Sequence, residues 1–412
     1  MQKSASYFIG LDIGTSKVRC AVGMLDGQKS EKIMNVIGTG SAANQGMRKG
    51  NVIHVEDVAA AIGEAVSEAE RMAGVRVAAA TINVNGAHLG CQNSKGVVSI
   101  SNPNHTIGVD DLNRVEEAAS LISLPANREI IQVFAKSYSI DGQENLKDPV
   151  GMQGLRLEVD TLVVTAGLSL LRSLDAALEK STMGVHHHTV SSLAAAEAVL
   201  SRKQKESGTA VVDIGAGTTN IVVIEEGEVV YIAVIPIGSQ NLTNDLAIGL
   251  KTDLEIAEMV KKVHATLDFS KAPAEQVSVE YQGKRHYFNE KIIRLVVEAR
   301  IEELFEQVDK EFKKIGKSRR LPGGVVLVGA TASMPGIADY AKNRLQLPAK
   351  IGKIVELGGL VDTINSPEYA TVVGLMLMDM LLNGQPPTSG NFKLPNKIPS
   401  ALITKFKNFV KL

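Results

Sequence analysis

Only two cysteines, Cys20 and Cys91, occur in the 412 residues of this chain. That scarcity excludes a disulfide framework and points to a reducing cytoplasm. An excess of either charge is also missing, because 44 Lys and Arg balance 45 Asp and Glu to leave a net charge of −1. Nucleic-acid binding usually shows as a basic face, so no nucleic-acid partner is expected. Long hydrophobic runs are absent as well. The longest, Val372 to Leu382, is too short to span a bilayer, contains Asp379 and reads as a buried helix. The N-terminal MQKSASYFIGLDIG enters a strand directly, with no apolar region of a secretion signal. With 44% hydrophobic content, the chain can bury large cores in two or more domains.

What the chain does contain is one strand–turn–strand pattern written twice. The first copy is IGLDIGTSKVRCAVG, Ile9 to Gly23, and the second is AVVDIGAGTTNIVVIEEG, Ala210 to Gly227. In each, a β-branched run delivers an Asp, a Gly-rich turn follows, and a second apolar run leaves. Glycine lets the backbone adopt positive φ and approach a ligand, and consecutive turn amides make a concavity for anions. Gly14, Thr15, Ser16 and Lys17 supply this in the first copy; Gly215, Gly217, Thr218 and Thr219 supply it in the second. Asp12 and Asp213 can share one hydrated Mg2+, which suits one or two carboxylates plus phosphate oxygens. A single DxG turn is an ordinary hairpin, but hairpins have no need to repeat Asp-Ile-Gly between the same flanking strands. The reading is two clamps facing one nucleotide phosphate chain. A third Gly-rich stretch, GGVVLVGATASMPGI from Gly323 to Ile337, reads as a buried strand feeding Gly329 and then a helix, which suits a nucleoside lying against backbone.

Between these motifs, hydrophobic spacing predicts helices at Val55–Ala73, Val109–Leu121, Ser169–Ser181, Val190–Leu200, Asn289–Ile315 and Glu368–Leu382. Strands are predicted at Val77–Val84, Ile130–Ser139 and Leu155–Val164. The expected organisation is a first core lobe at 1–85 and 161–206, joined by 366–382, with an inserted α+β unit at 86–160. A second core lobe comprises 207–242 and 322–365, with its own subdomain at 243–321. Residues 383–397 are rich in Pro, Gly, Ser and Asn and read as a linker.

The last stretch, 398–412, carries no acid; none occurs after Asp379. A helical projection puts Leu402, Ile403, Phe406, Phe409 and Val410 on one face, with Lys405 and Lys407 flanking it and Lys411 opposite. The pattern favours a helix lying on anionic membrane lipid over a terminal helix docked on the protein body. Each Lys near an anionic leaflet adds about 1 kcal/mol, and ordering the segment opposes this at about 1–2 kcal/mol per residue. One copy therefore binds marginally, and many copies on one polymer bind well through effective concentration.

Together the two DIG clamps, the GATASMPGI loop and the segment between them resemble the actin/Hsp70/sugar-kinase ATPase superfamily. The insertion and the amphipathic tail narrow the resemblance to the bacterial cell-division FtsA family. It implies an α/β fold, actin-like (ribonuclease H-like, duplicated) and two-lobed, with an inserted α+β subdomain and a C-terminal amphipathic helix. It implies that the clamps bind ATP and Mg2+, with Lys17 near the phosphates and Gly238 and Asn241 bordering the nucleotide. Glu258 and Lys261, at the family's E-x-x-K positions, would hold ribose and base. Gly329-Ala330 stands where relatives commonly carry two glycines, so the added methyl would re-aim the purine. A polar group near the γ-phosphate, at the start of a helix around Thr189, makes His188 the expected water-positioning residue beside Asp12 and Asp213, in at most a slow ATPase.

The implied role is a polymerising adaptor on the cytoplasmic face of the membrane at the division site. It would hold the tubulin-like FtsZ ring there, bind copies of itself, and recruit later division proteins. The FtsZ C-terminal tail would dock on 243–321, with Arg294 and Arg300 as contacts. A small-molecule kinase of the sugar or acetate type shares the clamps but has no use for a lipid-seeking tail. Too few residues follow Leu382 for an Hsp70-type peptide-binding domain. A pilus-assembly relative would share the body without explaining the tail.

Overall fold

The computed structural model describes residues 6–25, 34–270 and 272–383. In the first sheet, Tyr7–Ile13 and Lys17–Leu25 form an antiparallel pair and Met34–Ala43 adds outside the second of them. Ala79–Val84 and Gly184–Val190 extend the sheet on the other side in parallel. The second sheet repeats this plan. Thr209–Ile214, Thr219–Glu225 and Glu228–Ile235 run antiparallel, and Gly324–Val328 and Ala349–Ile351 continue in parallel. Apart from a short edge strand, Gly358–Gly359, on the first sheet, the two share one strand order: third, second, first, fourth, fifth. The repeat in sequence is thus a repeat in topology. Thr209–Ile214 is buried along its whole length, as expected of a central strand covered on both faces.

Helix Val55–Ala73 covers the first sheet with a stripe of small residues, Ala59, Ala61, Ala65 and Ala69. Two helices, Ser191–Val199 and Ala370–Asn383, pack against each other in the largest core cluster, which holds residues of both sheets. Their approach is set by Gly374, where an added Cβ would fall 1.7 Å from the Ala194 carbonyl oxygen. Gly374→Leu is therefore expected to cost about 3 kcal/mol or more by overpacking, read as a fall in the denaturant midpoint. An unchanged midpoint would show that the helices can separate at no cost. The acid inside the terminal helix is accounted for. Asp379 accepts from the Ile9 amide at 2.9 Å and the Thr81 hydroxyl at 2.7 Å, and lies 2.8 Å from His186 Nδ1.

The insertion forms its own four-stranded antiparallel sheet, in the order Gly90–Ser99, Arg156–Gly167, Arg128–Ile140, Gln143–Leu146. Helix Val109–Ser120 lies on it over a small core that includes Ile107, Val115, Tyr138 and Leu157. The strand Arg156–Gly167 runs through the expected boundary at 160, and its Leu162 and Val164 join the core shared with the lobes. The first strand was not anticipated, because GCQNSKGVVS is mostly polar and lies on the sheet edge. The long helix Glu290–Lys314 buries Ile293, Val297, Ile301, Leu304, Phe305, Val308 and Phe312 against the second lobe. The terminal helix begins later than expected. Pro367–Tyr369 is a 3-10 turn, and the α-helix runs Ala370–Asn383, so Asn383 ends a helix instead of starting a linker. Among the described residues no helix is long and apolar enough to cross a membrane. The rest of the expected linker and the amphipathic segment, with Leu402, Ile403, Lys405, Phe406, Lys407, Phe409, Val410 and Lys411, lie outside the described residues.

Candidate functional site

Both repeated turns close in the same way. The Gly14 amide donates to the Lys17 carbonyl at 3.0 Å, and the Gly215 amide to the Thr218 carbonyl at 2.9 Å. Each turn leaves an Asp near the end of the incoming strand, opposite a polar residue on the outgoing one: Asp12 faces Arg19 and Asp213 faces Asn220. The turns open on one cleft of about 560 Å³ between the lobes, within the size range of small-molecule sites. Asp12, Gly14, Thr15, Ser16 and Lys17 line one wall, and Asp213, Gly215 and Thr218 the other. The lobes also touch here, since Asn85 Nδ2 donates to Thr218 Oγ1 at 3.0 Å. Gly217 packs on Thr15, where an added Cβ would lie 2.8 Å from the hydroxyl.

The two carboxylates are each only 8% exposed. Burial pushes Asp12 up from 3.8 to about 7, against the pull of Arg19 and with the repulsion of Asp213. Burial raises Asp213 as well, opposed by hydrogen bonds from Asn220 and Thr371. Asn83 fixes the Asp12 carboxylate by donating at 2.8 Å, and is itself held by the Ile13 amide and Ser191. Two buried acids whose charged forms are disfavoured by burial, despite Arg19 nearby, are a donor set that suits a hard divalent cation. The wall also holds buried polar atoms with no partner among the described residues, Asn220 Oδ1 and Thr331 Oγ1. Unpaired buried groups cost free energy until something pairs with them, so the cleft favours a polar, anionic ligand carrying a cation.

The third loop closes this end. Gly329 has φ of +85°, and an added Cβ there would sit 2.6 Å from Asp213 Oδ1, so only glycine fits. Ala330 follows on the cleft wall and begins a 3-10 turn to Ser333 before helix Ile337–Leu345. Glu258 and Lys261 also line the cleft, and they are not a solvated surface pair. They lie 2.6 Å apart, and Lys261 Nζ donates to the Ser239 carbonyl at 3.3 Å and the Thr243 hydroxyl at 2.8 Å.

Several expected residues lie elsewhere. His188 is on the strand Gly184–Val190 and meets Asp175 of helix Leu168–Lys180 at 3.0 Å, away from the cleft. The following helix starts at Ser191 and not around Thr189, so Ser191 is the residue that lines the cleft. Thr219 is buried within its strand and donates to the Ile237 carbonyl at 2.8 Å. Gly238 and Asn241 shape the border without forming the wall: Asn241 Oδ1 accepts from the Gly238 amide at 3.1 Å, while Ser239 and Gln240 face the cleft. Arg294 and Arg300, expected on subdomain 243–321 and not in the cleft, do lie there on the long helix Glu290–Lys314, where Arg294 is ion-paired with Glu290 at 2.6 Å and Arg300 with Asp245 at 2.5 Å and Glu303 at 2.6 Å. Neither guanidinium is open to a partner without exchanging a carboxylate. Arg19, Asn83, Asn85, Ser191, Asn220 and Glu368 were missed. Hairpin pairing could have found Arg19 and Asn220, each seven residues after its Asp.

A family profile described as "Cell division protein FtsA" matches residues 210–374, and one described as "SHS2 domain inserted in FTSA" matches residues 86–165. The chain is 35% identical over 372 residues to "Cell division protein FtsA" of Bacillus subtilis, covering 90% of this chain and 82% of that one. It is 34% identical over 407 residues to the protein of the same name from Pseudomonas aeruginosa, covering 95% and 96%. Among solved structures, the "PilM-PilN type IV pilus biogenesis complex" aligns with TM-score 0.65 at 16% identity over 90% of this chain and 98% of that one. MreB5 of Spiroplasma citri bound to ADP aligns with TM-score 0.54 at 14% identity, over 92% and 99%. At such identities the likeness shows a shared actin-like fold.

Proposed function

This chain belongs to the FtsA family of cell-division proteins, and from that premise we propose that it is an ATP-binding adaptor that polymerises, fixes the FtsZ ring to the membrane and recruits later division proteins. The observation that carries the nucleotide part is the repeated carboxylate-and-glycine turn, placed on both walls of one cleft. Solved structures of similar fold support it, since MreB5 of Spiroplasma citri is described bound to ADP and to AMPPNP. In this reading the turn amides of both clamps bind phosphate oxygens, and Glu258 and Lys261 mark the nucleoside end. Asp12 and Asp213 would hold Mg2+, which supplies charge neutralisation on the phosphates when bound.

Holding a cation requires Asp12 to be ionised. Its value near 7 lies above the ordinary 3.8, so the empty folded chain resists deprotonation across that interval. The sign follows: the empty protein loses stability as pH rises from 3.8 towards 7, and cation binding gains where the proton leaves. Mg-ATP affinity is therefore expected to fall about tenfold per pH unit below 7, measured by titrating a fluorescent ATP analogue at pH 6, 7 and 8. A flat profile would remove Asp12 from the cation site.

For the adaptor part, subdomain 243–321 supports partner docking because it exposes Ile248, Tyr287, Ile292 and Leu295. The ion-paired Arg294 and Arg300 would exchange partners to meet an acidic tail. The insertion, with its own small core, is read as a contact module for self-assembly or division partners. Membrane attachment rests on residues 398–412, whose sequence joins an apolar face to lysines without acids. The experiment is sedimentation of purified FtsZ with anionic vesicles and Mg-ATP. Full-length chain should pellet with the vesicles and carry FtsZ down, and a chain lacking 399–412 should leave both in the supernatant. Equal pelleting by the truncated chain would refute the tether.

A further inference from the structure

The duplicated hairpins are not chemically symmetric. Where the second places the neutral Asn220 beside Asp213, the first places Arg19 beside Asp12. Arg19 is the one arginine among the described residues lining the cleft, and its side chain is only 12% exposed. Its charge is felt by both carboxylates, since it pulls Asp12 and Asp213 downward against burial. The guanidinium also lies 5.3 Å from the ring centroid of Tyr369. It has a partner, Glu368, at 2.5 Å, whose side chain is 30% exposed and also lines the cleft. Glu368 belongs to the 3-10 turn Pro367–Tyr369, which precedes the terminal helix and accepts a 2.9 Å hydrogen bond from the Gly329 amide at the Pro367 carbonyl.

We propose that Arg19 is a polyphosphate-contacting residue of the cleft, held in reserve by Glu368 and transferred from that carboxylate to the ligand's phosphate when a nucleotide enters. The inference rests on the nucleotide reading given above and adds a residue and a competitor to it. A planar guanidinium matches two phosphate oxygens as well as it matches a carboxylate. A chain of phosphates brings more negative charge into the cleft than Glu368 offers, so the exchange favours the ligand around the largely buried Arg19. Glu368 in turn keeps Arg19 from collapsing onto Asp12 and Asp213 while the cleft is empty, which leaves those carboxylates open to a cation.

The two partners make opposite predictions, and a purely structural ion pair does not. A fluorescent ATP analogue and unlabelled adenosine are titrated into full-length wild type, Arg19→Gln, Arg19→Lys and Glu368→Gln. Arg19→Gln should weaken the ATP analogue about tenfold or more and leave adenosine unchanged, because adenosine has no phosphate. Arg19→Lys should recover part of the loss. Glu368→Gln should tighten the ATP analogue about threefold to tenfold, because the competing carboxylate is gone. Unchanged ATP affinity in Arg19→Gln, equal loss of adenosine and ATP, or weaker ATP binding in Glu368→Gln each overturns the proposal. If Arg19→Gln fails to fold, the direction of change in Glu368→Gln decides. A wild type that binds no ATP analogue ends the nucleotide reading itself; a wild type that binds while Arg19→Gln is unaffected ends only this inference.

Discussion

Asp213→Ala is expected to lower Mg-ATP affinity at least about 100-fold, since a charged ligand group is removed from a desolvated site, where such losses reach about 3–5 kcal/mol. The empty protein should not lose stability in exchange. Burial raises the Asp213 carboxyl, so its charge opposes folding until a cation arrives, and its partners Asn220 and Thr371 hold it only at 3.3 and 3.4 Å. Groups kept at a cost in the empty state are what a binding site accumulates. A thermal melt without ligand should therefore show an unchanged or raised midpoint in the variant, and a titration should show the loss of binding. A variant that melts lower and binds normally would reverse both expectations.

Phe406→Glu is expected to abolish pelleting with anionic vesicles while ATP binding survives. The sequence projection puts Phe406 and Phe409 on the same apolar face. Burying such a ring fully contributes about 1.5–3 kcal/mol, of which an interface recovers a part. Three lysines add about 1 kcal/mol each at low salt, and the cost of ordering the segment is of similar size. With the sum so close to zero, one carboxylate directed at the acyl chains decides the outcome. Replacing Lys405, Lys407 and Lys411 should act more weakly and chiefly at low ionic strength, because that attraction is screened. Continued pelleting of the Glu variant would place this segment on the protein body.

The clamps were legible because their information is local. A period-2 apolar run, an Asp, a Gly turn and another run fix a hairpin, and two copies fix a duplicated sheet. The cross-strand neighbours Arg19 and Asn220 were within reach of the same logic, since register follows from the turn. The Arg19–Glu368 pair was not, because its members are 349 residues apart in the chain and meet only when the terminal helix packs on the first sheet. His188 failed for a smaller reason. Three adjacent histidines sit on a strand that turns into a helix at Ser191, and an error of two residues in that boundary put the wrong side chain in the cleft. Gly238 and Asn241 illustrate a second limit, because a capping interaction and a ligand contact require the same residue types. In the insertion, the mostly polar strand Gly90–Ser99 carried too little alternation to separate it from a loop.

The central claim is that both turns grip one ligand, and its most direct test is calorimetric titration of Mg-ATP into wild type, Asp12→Ala, Asp213→Ala and the double variant. One nucleotide should bind per chain. Either substitution alone should remove most of the affinity, and the double variant should lose little more than the worse single one, because the two carboxylates share one cation. Losses that simply add, or a second site that survives when either Asp is removed, would mean that the two turns act separately.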